Sequence, residues 1–118
     1  MDDLKLMFNL QKEFQKQSGN GELPKLDGDL VSMFSLGLIS ELGEVLQEYK
    51  GWKPWKAKDS FTNNREQCLD EVADMWHFMI NLTLALGFDN RDLTKAFYET
   101  NEHNFKNLQN EVNDKGAK

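Results

Sequence analysis

Two short acidic segments, each inside an apolar, helix-periodic run, constrain this chain more than any other feature. The first is Glu41-Leu42-Gly43-Glu44, within Gly37 to Glu48. The second is Glu71-Val72-Ala73-Asp74, which opens the run to Phe78. Residues at i and i+3 share a helix face. At about 100° per residue, Glu44 and Glu48 fall on the side of Glu41 that also carries Phe34, Gly37, Leu38 and Val45. Asp74 falls with Glu71 beside Met75, Phe78, Leu82 and Ala85. Unpaired carboxylates on apolar faces are costly. A divalent cation between the two helices would balance them, and all-oxygen ligands suit Mg²⁺, with Mn²⁺ as the alternative. Without HExxH or CxxC, these acids make a poor zinc site. Glu41, Glu44, Glu71 and Asp74 are therefore the candidate metal-binding and catalytic residues. Their spacing does not single out a general base. The competing reading is half-exposed acids in surface ion pairs, which the repetition on consecutive helices disfavours.

The rest of the chain reads as one all-α domain over residues 1–118, a bundle of four helices with short connections. Leu4, Met7, Phe8 and Phe14 form the stripe of a first helix over 3–17, with Gln11 in its middle. Three glycines and Pro24 make 18–28 a loop. A second helix runs over 29–50, capped by Asp29 and stopped by Gly51 and Pro54. A third runs over 65–86, with Met75, Phe78, Met79, Leu82 and Leu86 buried and Gly87 as its stop. Asp89 or Asn90 caps a fourth over 89–109, followed by a frayed polar tail. No alternating β-branched run indicates a strand.

The charge balance narrows the function. A net charge of −6 argues against a nucleic-acid partner. It does not argue against a small phosphate ligand, because bound metals invert the local sign. The single cysteine, Cys68, suits a reducing, cytoplasmic setting and reads as core packing. Met1 to Lys5 shows no basic leader, and no run is long enough to span a membrane.

The acidic pattern resembles the all-α nucleoside triphosphate pyrophosphohydrolases, the superfamily of MazG and the dimeric dUTPases. The likeness to the dimeric dUTPase branch extends beyond the acids. EVLQEYKGWKPWK at Glu44 to Lys56 is similar to its acidic helix and aromatic, basic loop. DEVADMWHF at Asp70 to Phe78 is similar to its EExxDxxHF segment, and TNEHNFKNLQ at Thr100 to Gln109 to its KNExNxxRQ segment. Phe8 to Phe14, with Gln11, resembles its first helix. Two departures stand out: Thr100 occupies the place of a lysine and Asn107 that of an arginine, both phosphate contacts in the branch.

The resemblance implies a Mg²⁺-dependent hydrolase that cleaves dUTP or a related deoxynucleotide to monophosphate and pyrophosphate. Glu41, Glu44, Glu71 and Asp74 would hold the metal against the triphosphate. Gln11, Trp52, Trp55, His77, Asn81, Asn104 and Lys106 become the substrate-binding candidates, with Lys106 or a lysine of the 50–58 loop a substitute for the missing cations. Each has a plainer alternative: a core-edge amide for Gln11, a packed ring for His77, loop anchors for the tryptophans and a helix contact for Asn81. The family also implies a homodimer or a dimer of dimers, as does the apolar surface of Trp52, Trp55, Trp76, Phe97 and Tyr98. Two other functions fit the same residues. One is a MazG-like hydrolase of another or non-standard nucleotide; the other is a non-enzymatic helical protein whose acidic face binds a metal or a basic partner.

Overall fold

Three helix starts in this chain are set by aspartates. A computed structural model describes residues 2–49, 52, 53, 55 and 65–116. These form α1 (Asp3–Gln17), α2 (Gly28–Glu48), α3 (Arg65–Ala85) and α4 (Asn90–Gly116), with no named strand among the described residues. Asp2 caps α1 by accepting from the Lys5 N–H at 3.0 Å. Asp27, not Asp29, caps α2. Its backbone is extended and its Oδ1 accepts from the Asp29 and Leu30 N–H groups at 3.1 and 3.2 Å. Asp29 instead lies in the first turn, where its charge favours the positive helix end. At α4, Asp89 Oδ1 accepts from the Asn90 N–H at 2.7 Å while Asp92 Oδ2 accepts from the Asp89 N–H at 3.0 Å. The Asp92 bond is one half of a capping box, the third helical residue reaching back to the cap's N–H.

The turn after α3 fixes how α2 and α3 run. Gly87 adopts a φ of 93°, and its N–H and that of Phe88 return to the Leu84 and Thr83 carbonyls at 3.0 and 3.1 Å. That closure is a Schellman motif. The segment before α2 sends two more donors to the same helix end: Lys25 N–H donates to the Leu84 carbonyl, which it shares with Gly87, and Asp27 N–H to that of Ala85, at 3.0 and 2.9 Å. The start of α2 is thereby pinned to the end of α3, with an isolated antiparallel bridge between Leu26 and Leu86. The two helices run antiparallel and share the largest helix–helix interface.

The core lies at this pinned end. Phe8, Leu23, Leu30, Phe34, Ile80, Leu84 and Ala85 are buried together. The buried face of α3 is therefore centred on Ile80, Leu84 and Ala85, while Met79 and Leu86, expected inside, are 38 % and 40 % exposed. Further along, the Phe78 ring lies 6.4 Å from Phe34 and directly against Gly37, where a Cβ would collide with it. The missing side chain lets α2 and α3 approach closely one turn before the acids.

Several helix ends differ from those expected. α2 closes at Glu48 with Tyr49 as its cap; the stop signals at Gly51 and Pro54 lie outside the described residues. α4 continues well past Gln109 to Gly116. No glycine or proline interrupts it before that point, and Lys95–Glu99 and Glu102–Lys106 pairs support its exposed face. No helix among the described residues is long and apolar enough to cross a membrane.

Candidate active site

Antiparallel pairing sets the last half of α2 against the first half of α3, which juxtaposes the two acidic segments. One carboxylate oxygen from each of Glu41, Glu44 and Glu71 lies within 4.8 Å of the others. Glu71 is buried, Glu41 half-buried and Glu44 exposed. Gln67, one turn before Glu71, donates from Nε2 to Glu71 Oε1 at 2.8 Å. Glu41 Oε2 and Glu71 Oε2 are buried with no hydrogen-bond partner. Buried oxygens are nearly always satisfied, so two orphans facing one cluster indicate a missing proton or cation.

The electrostatics agree. Burial, then the charge of Glu44, pushes the Glu41 carboxyl above its ordinary range. The hydrogen bond with Glu71, followed by that group's charge, pushes Glu44 up. Glu71 moves down because Glu44, and then Gln67, hydrogen-bond to its charged form. Clustered carboxylates cannot all ionise freely, so the cluster shares protons unless a cation replaces them. Asp74 is exposed and outside the three-carboxylate cluster. Its charge nevertheless raises both Glu41 and Glu44.

Beside the acids lies a cleft of about 470 Å³. Gln11, Gln15, Glu41, Asp74, His77 and Asn81 line it, with the rings of Phe34 and Phe78. Helix α1 supplies one wall. Gln11 is buried and its Nε2 lies 2.9 Å from His77 Nδ1. An amide nitrogen can only donate, so this contact makes Nδ1 the acceptor and leaves Nε2 as the protonated ring nitrogen. Asn81 is buried, and its Oδ1 has no partner.

Gln11, His77 and Asn81 thus meet Glu41 and Asp74 on one cleft, and the other candidates do not. Trp52 and Trp55 are exposed and stand edge to face at 6.2 Å. Trp52 Nε1 donates to the Leu46 carbonyl at 2.9 Å, and Lys53 Nζ lies 5.0 Å from the Trp52 ring. The pair is fastened to the end of α2, off the cleft. Asn104 and Lys106 are on the exposed part of α4, where Lys106 meets Glu102 at 3.3 Å. The walls of the cleft come from α1, α2, α3 and the turn after α1, so α4 does not reach it.

Two residues of the site escaped the sequence reading. Gln15 is 3 % exposed, lines the cleft and accepts from Asn20 Nδ2 at 2.7 Å. Gln67 orients Glu71. Each lies four residues before or after a candidate, Gln15 after Gln11 and Gln67 before Glu71, so helical spacing carried the signal.

The sequence matches the family model described as dUTPase over residues 3–109. It is 29% identical over 89 residues to the dCTP pyrophosphatase of Enterobacteria phage T4, covering 62% of this chain and 51% of that protein. It is 28% identical over 82 residues to a DNA replication protein of the same phage, covering 56% of this chain and 20% of that protein. The chain thus spans about half the length of the first relative and a fifth of the second. No solved structure matches it at comparable significance. The dUTPase match runs from the first residue of α1 to well inside α4 and takes in all four acids, and by that measure this chain belongs to the all-α dUTPase family.

Proposed function

We propose that this protein is a divalent-metal-dependent pyrophosphohydrolase of a pyrimidine deoxynucleoside triphosphate, releasing the monophosphate and pyrophosphate. The observation that carries the reading is the meeting of Glu41, Glu44 and Glu71 within 4.8 Å, with two buried orphan oxygens, at the edge of an amide-lined cleft. Glu41, Glu44 and Glu71 would hold the cation, with Asp74 beside them. Bound there, Mg²⁺ or Mn²⁺ neutralises triphosphate charge and makes water a nucleophile at neutral pH.

The protein's own side chains do the positioning. Gln67 fixes Glu71, and Gln11 fixes the His77 ring with its N–H free to donate. Asn81 offers its orphan oxygen to a ligand donor, and its amide nitrogen is a donor in turn. Uracil answers that pair with N3–H and a carbonyl, and cytosine with its amino group and N3. dUTP is the first candidate substrate on family membership. dCTP is the second, favoured by the name of the phage relative and by the ability of Asn81 to serve either base. The reading includes a cytoplasmic site of action and assembly as a homodimer or a dimer of dimers.

Pyrophosphate release from dUTP, dCTP, dTTP, dATP and dGTP, with Mg²⁺, with Mn²⁺ and with chelator, tests it. Metal-dependent release led by a pyrimidine nucleotide is expected. Absence of release from every nucleotide overturns it.

A further inference from the structure

We propose that Gln67 is a positioning residue that makes Glu71 a one-oxygen ligand and so selects a small, octahedral divalent cation over calcium. This role rests on the metal site proposed above. Gln67 lies in the first turn of α3 and Glu71 one turn further on, so both side chains rise from the same helix face. Gln67 Nε2 donates to Glu71 Oε1 at 2.8 Å, while Glu71 Oε2 is buried with no partner. The two oxygens of one carboxylate are thereby given different tasks.

A glutamine and a glutamate four residues apart pair readily on any helix surface. In α1, Gln17 Nε2 donates to Glu13 Oε1 at 2.9 Å in the same way. Glu13 is exposed, however, so water can serve its second oxygen. Glu71 is 8 % exposed, and leaving a buried carboxylate oxygen unsatisfied is costly. Its neighbours only sharpen the need. One oxygen from each of Glu41, Glu44 and Glu71 lies within 4.8 Å of the others, and Glu41 Oε2 is buried without a partner too. Among the described residues, Gln67 is the only side-chain amide bonded to any of the four acids.

The kind of donor matters. A lysine or arginine at this position would cancel part of the charge that attracts a cation, and a carboxylate would repel Glu71. A neutral amide fixes the rotation of the carboxylate and leaves its charge intact. Gln67 is itself exposed, so its own packing does not require the bond.

The consequence is a choice of cation. Ca²⁺ takes about 6–8 oxygens in a flexible shell and accepts both oxygens of one carboxylate. Mg²⁺ demands a near-ideal octahedron with shorter bonds, and the narrow bite of a carboxylate does not span two of its corners; Mn²⁺ suits the same oxygen ligands. With Oε1 held by Gln67, Glu71 offers Oε2 alone, the mode that suits the smaller ions. With Oε1 released, the carboxylate can turn and offer both.

Titration calorimetry of the metal-free full chain with Mg²⁺, Mn²⁺ and Ca²⁺, without nucleotide, tests the assignment. The parent should prefer Mg²⁺ and Mn²⁺ to Ca²⁺. Gln67→Leu removes the donor at an exposed position. Its affinity for Mg²⁺ and Mn²⁺ should fall by about 10- to 100-fold, the usual effect of losing a group that orients a metal ligand, while that for Ca²⁺ holds or rises. Gln67→Lys keeps a donor on a stem of similar reach. Its charge should weaken all three cations, with their ratio near the parent's. Circular dichroism checks the fold of both variants. A ratio unchanged in Gln67→Leu overturns the proposal, and so does a ratio lost equally in Gln67→Lys or a parent that prefers Ca²⁺. A parent that binds none of the three overturns it together with the metal site. Because no nucleotide is present, failure of the proposed hydrolysis would leave this result untouched.

Discussion

Gln11 and His77, 66 residues apart, meet at 2.9 Å across the cleft through Gln11 Nε2 and His77 Nδ1. The contact fixes a ring tautomer and ties α1 to α3 at the point where a base would enter. Gln11→Leu keeps the shape of a buried side chain and removes the donor. The expected outcome is a rise in KM of about 5- to 150-fold for the preferred nucleotide, the worth of an unmade buried hydrogen bond. Discrimination between bases should flatten, with metal affinity unchanged. An unaltered substrate ranking in steady-state kinetics would reduce Gln11 to a core-edge amide.

The acids make a sharper case. Glu44→Gln removes one negative charge from the cluster with almost no change in shape. Metal-dependent turnover should fall by at least about 100-fold, the upper end of what loss of even an outer-sphere partner costs. The metal-free protein should melt no lower than the parent, because repulsion from Glu71 and Asp74 on Glu44 is relieved. Titration calorimetry with Mn²⁺ reads the same change without relying on activity. Retained turnover would reject the cluster as the metal site.

These two sites differed in how readily the sequence disclosed them. The acids were legible because i, i+3 carboxylates on an apolar stripe conflict with burial; that conflict holds for Glu71 and half-buried Glu41, whereas Glu44 and Asp74 reach solvent. Gln11, His77 and Asn81 were legible as polar residues on apolar faces. Trp52, Trp55, Asn104 and Lys106 sit off the cleft because no periodicity encodes how a loop or a fourth helix is placed. The device that pins α2 antiparallel to α3 was hidden for a related reason. It depends on Lys25 and Asp27 donating to the last carbonyls of α3, backbone contacts that leave no side-chain pattern. The length of α4 exceeds the expectation because its last turns bury nothing within the chain, so no core-facing pattern marks where it ends.

Gly37 and Phe78 offer a test of the close helix approach. Gly37→Ala gains up to about 1 kcal/mol of helix propensity. The added methyl collides with the Phe78 ring, however, and overpacking of this kind costs about 1–3 kcal/mol. A net loss of stability is expected in urea unfolding, together with weaker metal affinity as α2 and α3 separate near Glu41. The second change Phe78→Leu should restore part of both. A Gly37→Ala protein as stable as the parent would show that the ring moves aside freely.

Lys12 and Asp89 join α1 to α4 at 2.9 Å, both partly buried. Burial alone would raise the Asp89 carboxyl, but it is outweighed by the Lys12 hydrogen bond, the Asn90 N–H and the charges of Lys12 and Arg91. Its pKa therefore lies below the ordinary 3.8. A carboxylate lowered in the fold contributes stability above its unfolded pKa and loses it as pH falls through the folded value. Lys12→Met should thus reduce stability by up to about 1 kcal/mol at pH 7, given the partial exposure. The gap to the parent should narrow as pH drops below 3.8. Urea midpoints for both proteins across that range measure it, and a gap that persists in acid would mean that the pair is not its source.

The last expectation concerns assembly. The chain exposes 9150 Å², whereas a monomer of its size ordinarily exposes about 6,600 Å². Its radius of gyration is 18.6 Å, against about 13.5 Å for a compact domain of this length. On α4, Phe97, Phe105, Leu108 and Val112 are all 54 % or more exposed. Their spacing of eight, three and four residues places them on one helical stripe. A stripe of that kind in an otherwise polar helix is stable in water only when covered, and a second copy offers the matching surface with two-fold closure. Sedimentation at micromolar concentration should report a dimer or larger. The double variant Leu108→Lys/Val112→Asp places charge on the stripe beyond the last buried residue of α4, Asn90. It should shift the species to a monomer while the helical circular dichroism signal of α1 to α3 persists. A parent protein that sediments as a monomer would leave this stripe without a partner of its own kind.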